Sequence, residues 1–222
     1  MSNKNRPYRM RRRAELEART RLRITQSAIE LHGTLGPSRT SISAVAKHAG
    51  VRRSTVYRHF PNERALLTAC SSHWMAANPL PDITRWVPLD DEDRRLRKAL
   101  QELYAYYRGT ERMMDNVLRD EAMMPLLTQM LGGYRQYLAA AQAMLMQGRN
   151  LREPVRRHVH AAIGHALAFH TWRSLAVEHG LEDTEIATLM SLLVVAAAAI
   201  PTRAPKAQGG HRNSRAGSFN SA

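Results

Sequence analysis

Cysteine is almost missing: Cys70 stands alone in 222 residues. One thiol excludes an internal disulfide and any cysteine-based zinc site. It suits a reducing cytoplasm, and Cys70 itself reads as a small buried hydrophobe. Long apolar runs are missing too. The most apolar one covers 192–200, far short of the roughly 20 residues that span a bilayer. No apolar segment follows the basic N-terminus, so neither a secretory leader nor a membrane partner is expected. Proline (10) and glycine (12) are few, which leaves room for long helices. Apolar–polar alternation never persists beyond a few positions, so strands are not expected. There is no nucleophile motif, phosphate loop, carboxylate pair or metal triad. The chain is therefore not read as an enzyme, and no cofactor is expected.

What is present in excess is positive charge, +14 in all. Its placement says more than its size. Residues 1–78 carry 15 basic and 4 acidic side chains, residues 79–200 carry 14 and 15, and residues 201–222 carry 4 and none. A near-neutral body with a strongly basic head is the electrostatic footprint of a polyanion binder. A surface kept basic only for solubility need not be confined to one segment.

The basic residues begin in an arm, 1–13, holding Lys4, Arg6, Arg9, Arg11, Arg12 and Arg13 without an acid. Repulsion predicts disorder there, with phosphate contact or minor-groove insertion as its use. A first helix is expected over 14–32, where Ile24, Ala28 and Leu31 share a face. Gly33, Gly36 and Pro37 end it. Ser41 can cap a short helix with Ile42, Val45 and Ala46 inward. Ala49, Gly50 and Val51 interrupt, and a second short helix follows over 52–58 with Val56 and Phe60 inward. Pro61 and Asn62 break it before a helix starting near Glu63. Pro79, Pro81 and Pro88 mark a linker over 78–89. Further helices are expected over 90–109, 111–147 (broken near Met124 and Pro125), 154–179 and 183–200. Residues 201–222, rich in Gly, Ser, Pro, Arg and Asn, read as a disordered basic tail.

Two short helices joined by a glycine-containing turn make a helix-turn-helix. Gly50 lacks the Cβ that would clash in a sharp turn, and small Ala46 and Ala49 let the helices approach. The second helix then exposes Arg52, Arg53, Ser54, Thr55, Tyr57, Arg58 and His59. Arginine can bond guanine bidentately, and hydroxyls and phenols can hold phosphate oxygens.

The run from Ser41 to Leu67, with its core Ala49-Gly50-Val51, Thr55-Val56-Tyr57, His59-Phe60 and Leu66-Leu67, resembles the head of the TetR family. The preceding Leu31, Gly33, Gly36 and Thr40 fit the same pattern. The likeness covers about residues 20–70. It implies an all-α protein of about nine helices: a three-helix DNA-binding head over 14–78 and a ligand-binding and dimerisation body over 79–200. By position it implies that Ser41 bonds phosphate and Ser43 approaches base or backbone. Arg53, Ser54 and Arg58 would face the groove, while Thr55, Tyr57 and His59 clamp phosphates. Arg52 stands where a capping Ser or Thr is common, so a cap is lost and a cation gained. Glu63 stands where the family usually has Lys on phosphate. An acid there should repel DNA, and Arg64 is the candidate to take its place.

Helix-turn-helix proteins read two half-sites as dimers. The expected interface lies on the last two helices, with Val159, Ile163, Ala166, Leu189, Leu193 and Ala196. A helix apolar all round, such as 186–200, must be covered on every side; the alternative is burial within one protomer. The resemblance also implies an inducer cavity in the body. Its candidates are Tyr104, Tyr107, Met113, Met114, Met123, Leu127, Met130, Phe169 and Trp172. Methionine adapts to loose fits, yet at helical spacing it also makes ordinary core. His158, His160, His165 and His170 suggest metal, but only His158 and His165 share a face, and no carboxylate or Cys joins them at useful spacing. They read as structural or surface residues, and no metal is expected.

The expectation is thus a cytoplasmic, homodimeric, sequence-specific regulator. It would be a repressor on a palindromic double-stranded DNA operator, released by a small, largely apolar ligand. Two alternatives stay open: a regulator without a small ligand, and a nonspecific nucleic-acid binder. The second explains the charge but not the helix-turn-helix spacing.

Overall fold

The computed structural model describes residues 5–200, with side chains from Tyr8 onward. The tail expected over 201–222 lies outside the described residues. The described chain is all-α, as the absence of alternation requires.

Helix α1 runs over Asn5–Thr34. The arm expected to be disordered is therefore helix from Asn5. The reason lies just beyond it: Arg11 and Arg13 pair with Glu15 and Glu17 one turn on, at 3.1 and 3.3 Å. Such i,i+4 pairs offset the repulsion that residues 1–13 show when taken alone. The C-terminal half of α1 buries Ile24 and Ala28. Against it close α2 (Ile42–His48), α3 (Arg53–His59) and α4 (Glu63–Ala77). Val45, Ala46, Ala49, Val56, Phe60, Leu66 and Cys70 complete this small core. Ser41 and Asn62 cap α2 and α4, accepting the amides of Ala44 and Ala65 at 3.1 and 2.9 Å. Arg52, at the same position before α3, makes no side-chain cap.

The body is built on α5 (Glu92–Asp120). Separate helices were expected over 90–109 and 111–147, but α5 runs through without a break, Gly109 included. A lone glycine costs a helix about 1 kcal/mol relative to alanine. That is little against an apolar face that runs through it from Leu96, Leu100 and Leu103 to Tyr107 and Met114. The helix ends before Pro125, where the break was expected; α6 (Pro125–Met130) and α7 (Gly132–Leu145) follow. The segment over 78–89 carries a helical turn, Ile83–Trp86. Trp86 is fully buried and donates its indole N–H to Glu102 at 2.7 Å.

The helix expected over 154–179 is three pieces: α8 (Val155–Leu167), α9 (Phe169–Arg173) and a π-helical turn, Ser174–Glu178. Ala168 is extended, with φ −73° and ψ 134°. The interruption leaves carbonyls at the end of α8 without helical partners. Two buried phenols take them: Tyr104 Oη donates to Ala166 O at 2.8 Å and Tyr107 Oη to Leu167 O at 2.7 Å. The last helix, α10 (Asp183–Ala198), packs along α8 and α5.

The end of α5 grips the end of α1. Asn116 Nδ2 donates to His32 O and Gly33 O, both at 3.0 Å. Arg119 donates to Leu35 O at 3.3 Å and to Asp120 Oδ1 at 2.9 Å. The fully buried Asp120 carboxylate accepts the Ser38 amide at 2.9 Å. Gly36, at φ +96°, passes so close that a Cβ would strike Arg119 and Asp120.

Candidate functional site

The second helix of the helix-turn-helix is α3, and its outer side is open. Val56 and Phe60 turn inward; Arg52, Arg53, Ser54, Tyr57 and Arg58 are exposed. Tyr57 is 45% exposed. Thr55 is half-buried. Among the described residues, no carboxylate pairs with Arg52, Arg53 or Arg58. Unpaired guanidiniums beside hydroxyls can bind a polyanion without first breaking an internal bond. Ser41 and Ser43 are exposed at the start of α2; the Ser41 oxygen serves as a cap and its O–H remains available to donate.

Two expected contacts sit differently. Arg64 donates to Gln129 Oε1 at 3.0 Å, so it ties α4 to α6 instead of hanging free for phosphate. His59 is half-buried, with Nε2 enclosed and unpartnered. Burial lowers its pKa, and the charges of Arg58 and Arg21 lower it further, against Glu17. The neutral form is thus favoured, which weakens it as a phosphate clamp. Arg21, not among the expected residues, sets the end of α3: it donates to His59 O at 2.5 Å and lies 4.1 Å over the Phe60 ring.

A cavity of about 300 Å³ lies where head meets body. Its walls come from α1, α4, α5, α6 and α7, and of the expected residues it includes Met113, Met114, Leu127 and Met130. The other expectations are corrected. Tyr104, Tyr107, Phe169 and Trp172 are buried in the body's own core. Tyr107 meets Phe169 edge-on at 5.3 Å, and Trp172 Nε1 donates to Asp183 at 2.9 Å. Met123 is on the outside, 65% exposed. Reasoning from the body alone missed the α1 and α4 walls, notably Ile29, His32, Leu67, Cys70 and Trp74. The α5 wall had a signal: Tyr106, Met113, Met114 and Val117 recur at i, i+7, i+8 and i+11, a single helical face.

The expected interface divides between inside and outside. Val159, Ile163 and Ala166 are buried in the protomer's core, so they cannot meet a partner. Leu189 and Leu193 are exposed, at 38% and 49%, and Ala196 is exposed with them. Leu192, Val195 and Ile200 widen this apolar surface.

Residues 24–70 match the family model described as "Bacterial regulatory proteins, tetR family". Over those residues the chain is similar to the DNA-binding head of TetR-family regulators. The chain is similar to an uncharacterized HTH-type transcriptional regulator of Mycobacterium tuberculosis. That match is 32% identical over 117 residues, covering 52% of this chain and 59% of the relative. A Mycobacterium bovis protein of the same description matches to the same extent. The match therefore spans little more than half the length of these relatives. The fold is that of solved TetR-like proteins. A TetR-like transcriptional regulator from Rhodococcus superposes with a TM-score of 0.59 at 14% identity, over 82% of this chain and 97% of that one. A candidate TetR-family regulator from Mesorhizobium loti gives 0.55 at 20% identity, over 83% and 97%.

Proposed function

We propose that this TetR-family protein is a sequence-specific DNA-binding transcriptional repressor of the cytoplasm. It binds a palindromic double-stranded operator as a homodimer and is released by a small, largely apolar ligand. The observation that carries the reading is the outer face of α3. Three guanidiniums, Arg52, Arg53 and Arg58, stand exposed without acidic partners beside Ser54 and Tyr57. Such a face fits the major groove, where arginine reads guanine and hydroxyls hold phosphate. Ser41, Ser43 and Thr55 add contacts around it.

Dimerisation is supported by α10, whose exposed Leu189, Leu192, Leu193 and Ala196 form an apolar strip that water would otherwise cover. Effector response is supported by the cavity, because its walls belong partly to the head and partly to the body. A ligand that prefers one arrangement of those walls biases the spacing of the two heads.

The test is selection of a binding site from a random DNA pool, followed by titration of that site and of scrambled DNA at equal salt. A palindrome bound about a thousandfold or more tighter than scrambled DNA is expected. Equal affinity for both would overturn the reading.

A further inference from the structure

The walls of the head–body cavity are apolar in the main: Ile29, Leu67, Trp74, Met113, Met114 and Leu127 dominate. Among the described residues, no Asp, Glu, Lys or Arg lines it. The polar side chains that do are few, and Tyr134 and Asn78 are already engaged. Tyr134 shares a hydrogen bond of 2.8 Å with Tyr107, and burial pushes its pKa up to about 12. Asn78 donates one side-chain N–H to Trp74 O at 2.9 Å, leaving its second N–H as a donor and its carbonyl oxygen as an acceptor. Among the described lining residues, His32 alone could become a cation. Burial pushes its pKa down to about 4, although Asp120 pulls the other way. At neutral pH it therefore supplies no counter-charge. A carboxylate or phosphate entering here would lose its hydration and meet no cation, and an ammonium would meet no anion.

We propose that this cavity takes an uncharged, mainly hydrocarbon ligand, with at most a hydroxyl or carbonyl to hydrogen-bond, and rejects organic acids, phosphates and amines. The ligand is small, since about 300 Å³ is at the lower end of ligand-site volumes. A hydroxyl can donate to Asn78 Oδ1. The inference rests on the proposed function only for what binding does to DNA; the chemistry of the site stands apart from it.

Isothermal titration calorimetry of the full chain at pH 7, with 1-decanol, decanoate and decylammonium, tests it. These probes share a tail and differ in charge. Decanol is expected to bind saturably, and both ions more weakly by about tenfold or more. Met113→Trp, which fills the cavity from α5, should abolish decanol binding while the far-UV dichroism and its thermal melt are retained. If either ion binds within about tenfold of decanol, if decanol does not bind, or if decanol binds the folded M113W protein unchanged, the proposal falls. A parallel operator-binding assay at saturating decanol separates the two readings. Decanol bound without release of DNA leaves the ligand class intact and removes the effector role.

Discussion

At the scale of the residue, two side chains on α3 and one in the cavity carry the sharpest expectations. Tyr57 and Arg58 are exposed on the same helix as the inward Val56, so they can be changed without touching the core. Tyr57→Phe combined with Arg58→Ala should weaken operator binding by about 10–100-fold, the effect of removing one good set of base or phosphate hydrogen bonds. Fluorescence anisotropy measures it, and the melting temperature should stay near that of the parent. His32 gives a pH dependence. Burial lowers its pKa from 6.5 to about 4, so between those values the unfolded chain binds the extra proton. The contribution of the neutral ring is complete above pH 6.5. It is lost progressively as pH falls toward 4, by up to about 3 kcal/mol. Urea unfolding at pH 7, 6, 5 and 4 should show that decline, and His32→Gln should flatten it. A slope unchanged in the variant would mean that other groups cause it.

Among the elements, the junction of α1 with α5 decides how the head is held, and the free end of α1 carries a row of exposed arginines. Asp120 is fully buried at the junction. Burial alone would raise its pKa, but the Ser38 amide and the Arg119 guanidinium outweigh that and hold it below the ordinary carboxylate value. Asp120→Ala leaves the part-buried Ser38 N–H unpaired, which costs about 1–3 kcal/mol. The same grip couples the cavity to the head, since α5 supplies Met113, Met114 and Val117 to one and Asn116, Arg119 and Asp120 to the other. The D120A protein should therefore unfold earlier by calorimetry and respond less to any effector that moves the parent. Along α1, Arg9, Arg12, Arg19 and Arg23 fall within about 80° of one another on the helix. All four are exposed and have no acidic partner among the described residues. Replacing them with Gln should weaken binding to operator and scrambled DNA alike. It should also reduce the salt slope by about 0.9 for each phosphate no longer neutralised. Weakening confined to the operator would instead place them on base edges.

For the whole molecule, net charge is unevenly divided between head and body. The head holds most of the net positive charge, the body is near neutral, and α10 exposes Leu189, Leu192 and Leu193 close together. Leu189→Glu with Leu193→Glu puts two carboxylates into that strip without reaching the core, since Ile186, Met190 and Val194 are the inward positions. The variant should elute as a monomer in size-exclusion chromatography with multi-angle scattering. Its operator affinity should fall toward that for a half-site, because one short helix reads too few bases. A dimer that persists would move the interface elsewhere.

The helix-turn-helix was legible in the sequence because its determinants are local. Gly50, the Ser41 cap and the inward spacing of Val45, Val56 and Phe60 act within a few residues of one another. The likeness of residues 24–70 to a known head reflects the same short-range rules. The all-helical class followed from periodicity for a similar reason. What the sequence could not settle is which side of a helix with two apolar sides faces what. Tyr104 and Tyr107 went to the body core and Tyr106 to the cavity, a choice made by the packing of α7, α8 and α9 against α5. Val159 and Ile163 went inward and Leu193 outward by the same means. Local pattern determined the elements and the open cationic face of α3; the cavity, the junction and the exposed strip were decided only when distant segments met, because burial belongs to pairs of surfaces and not to a single stretch of chain.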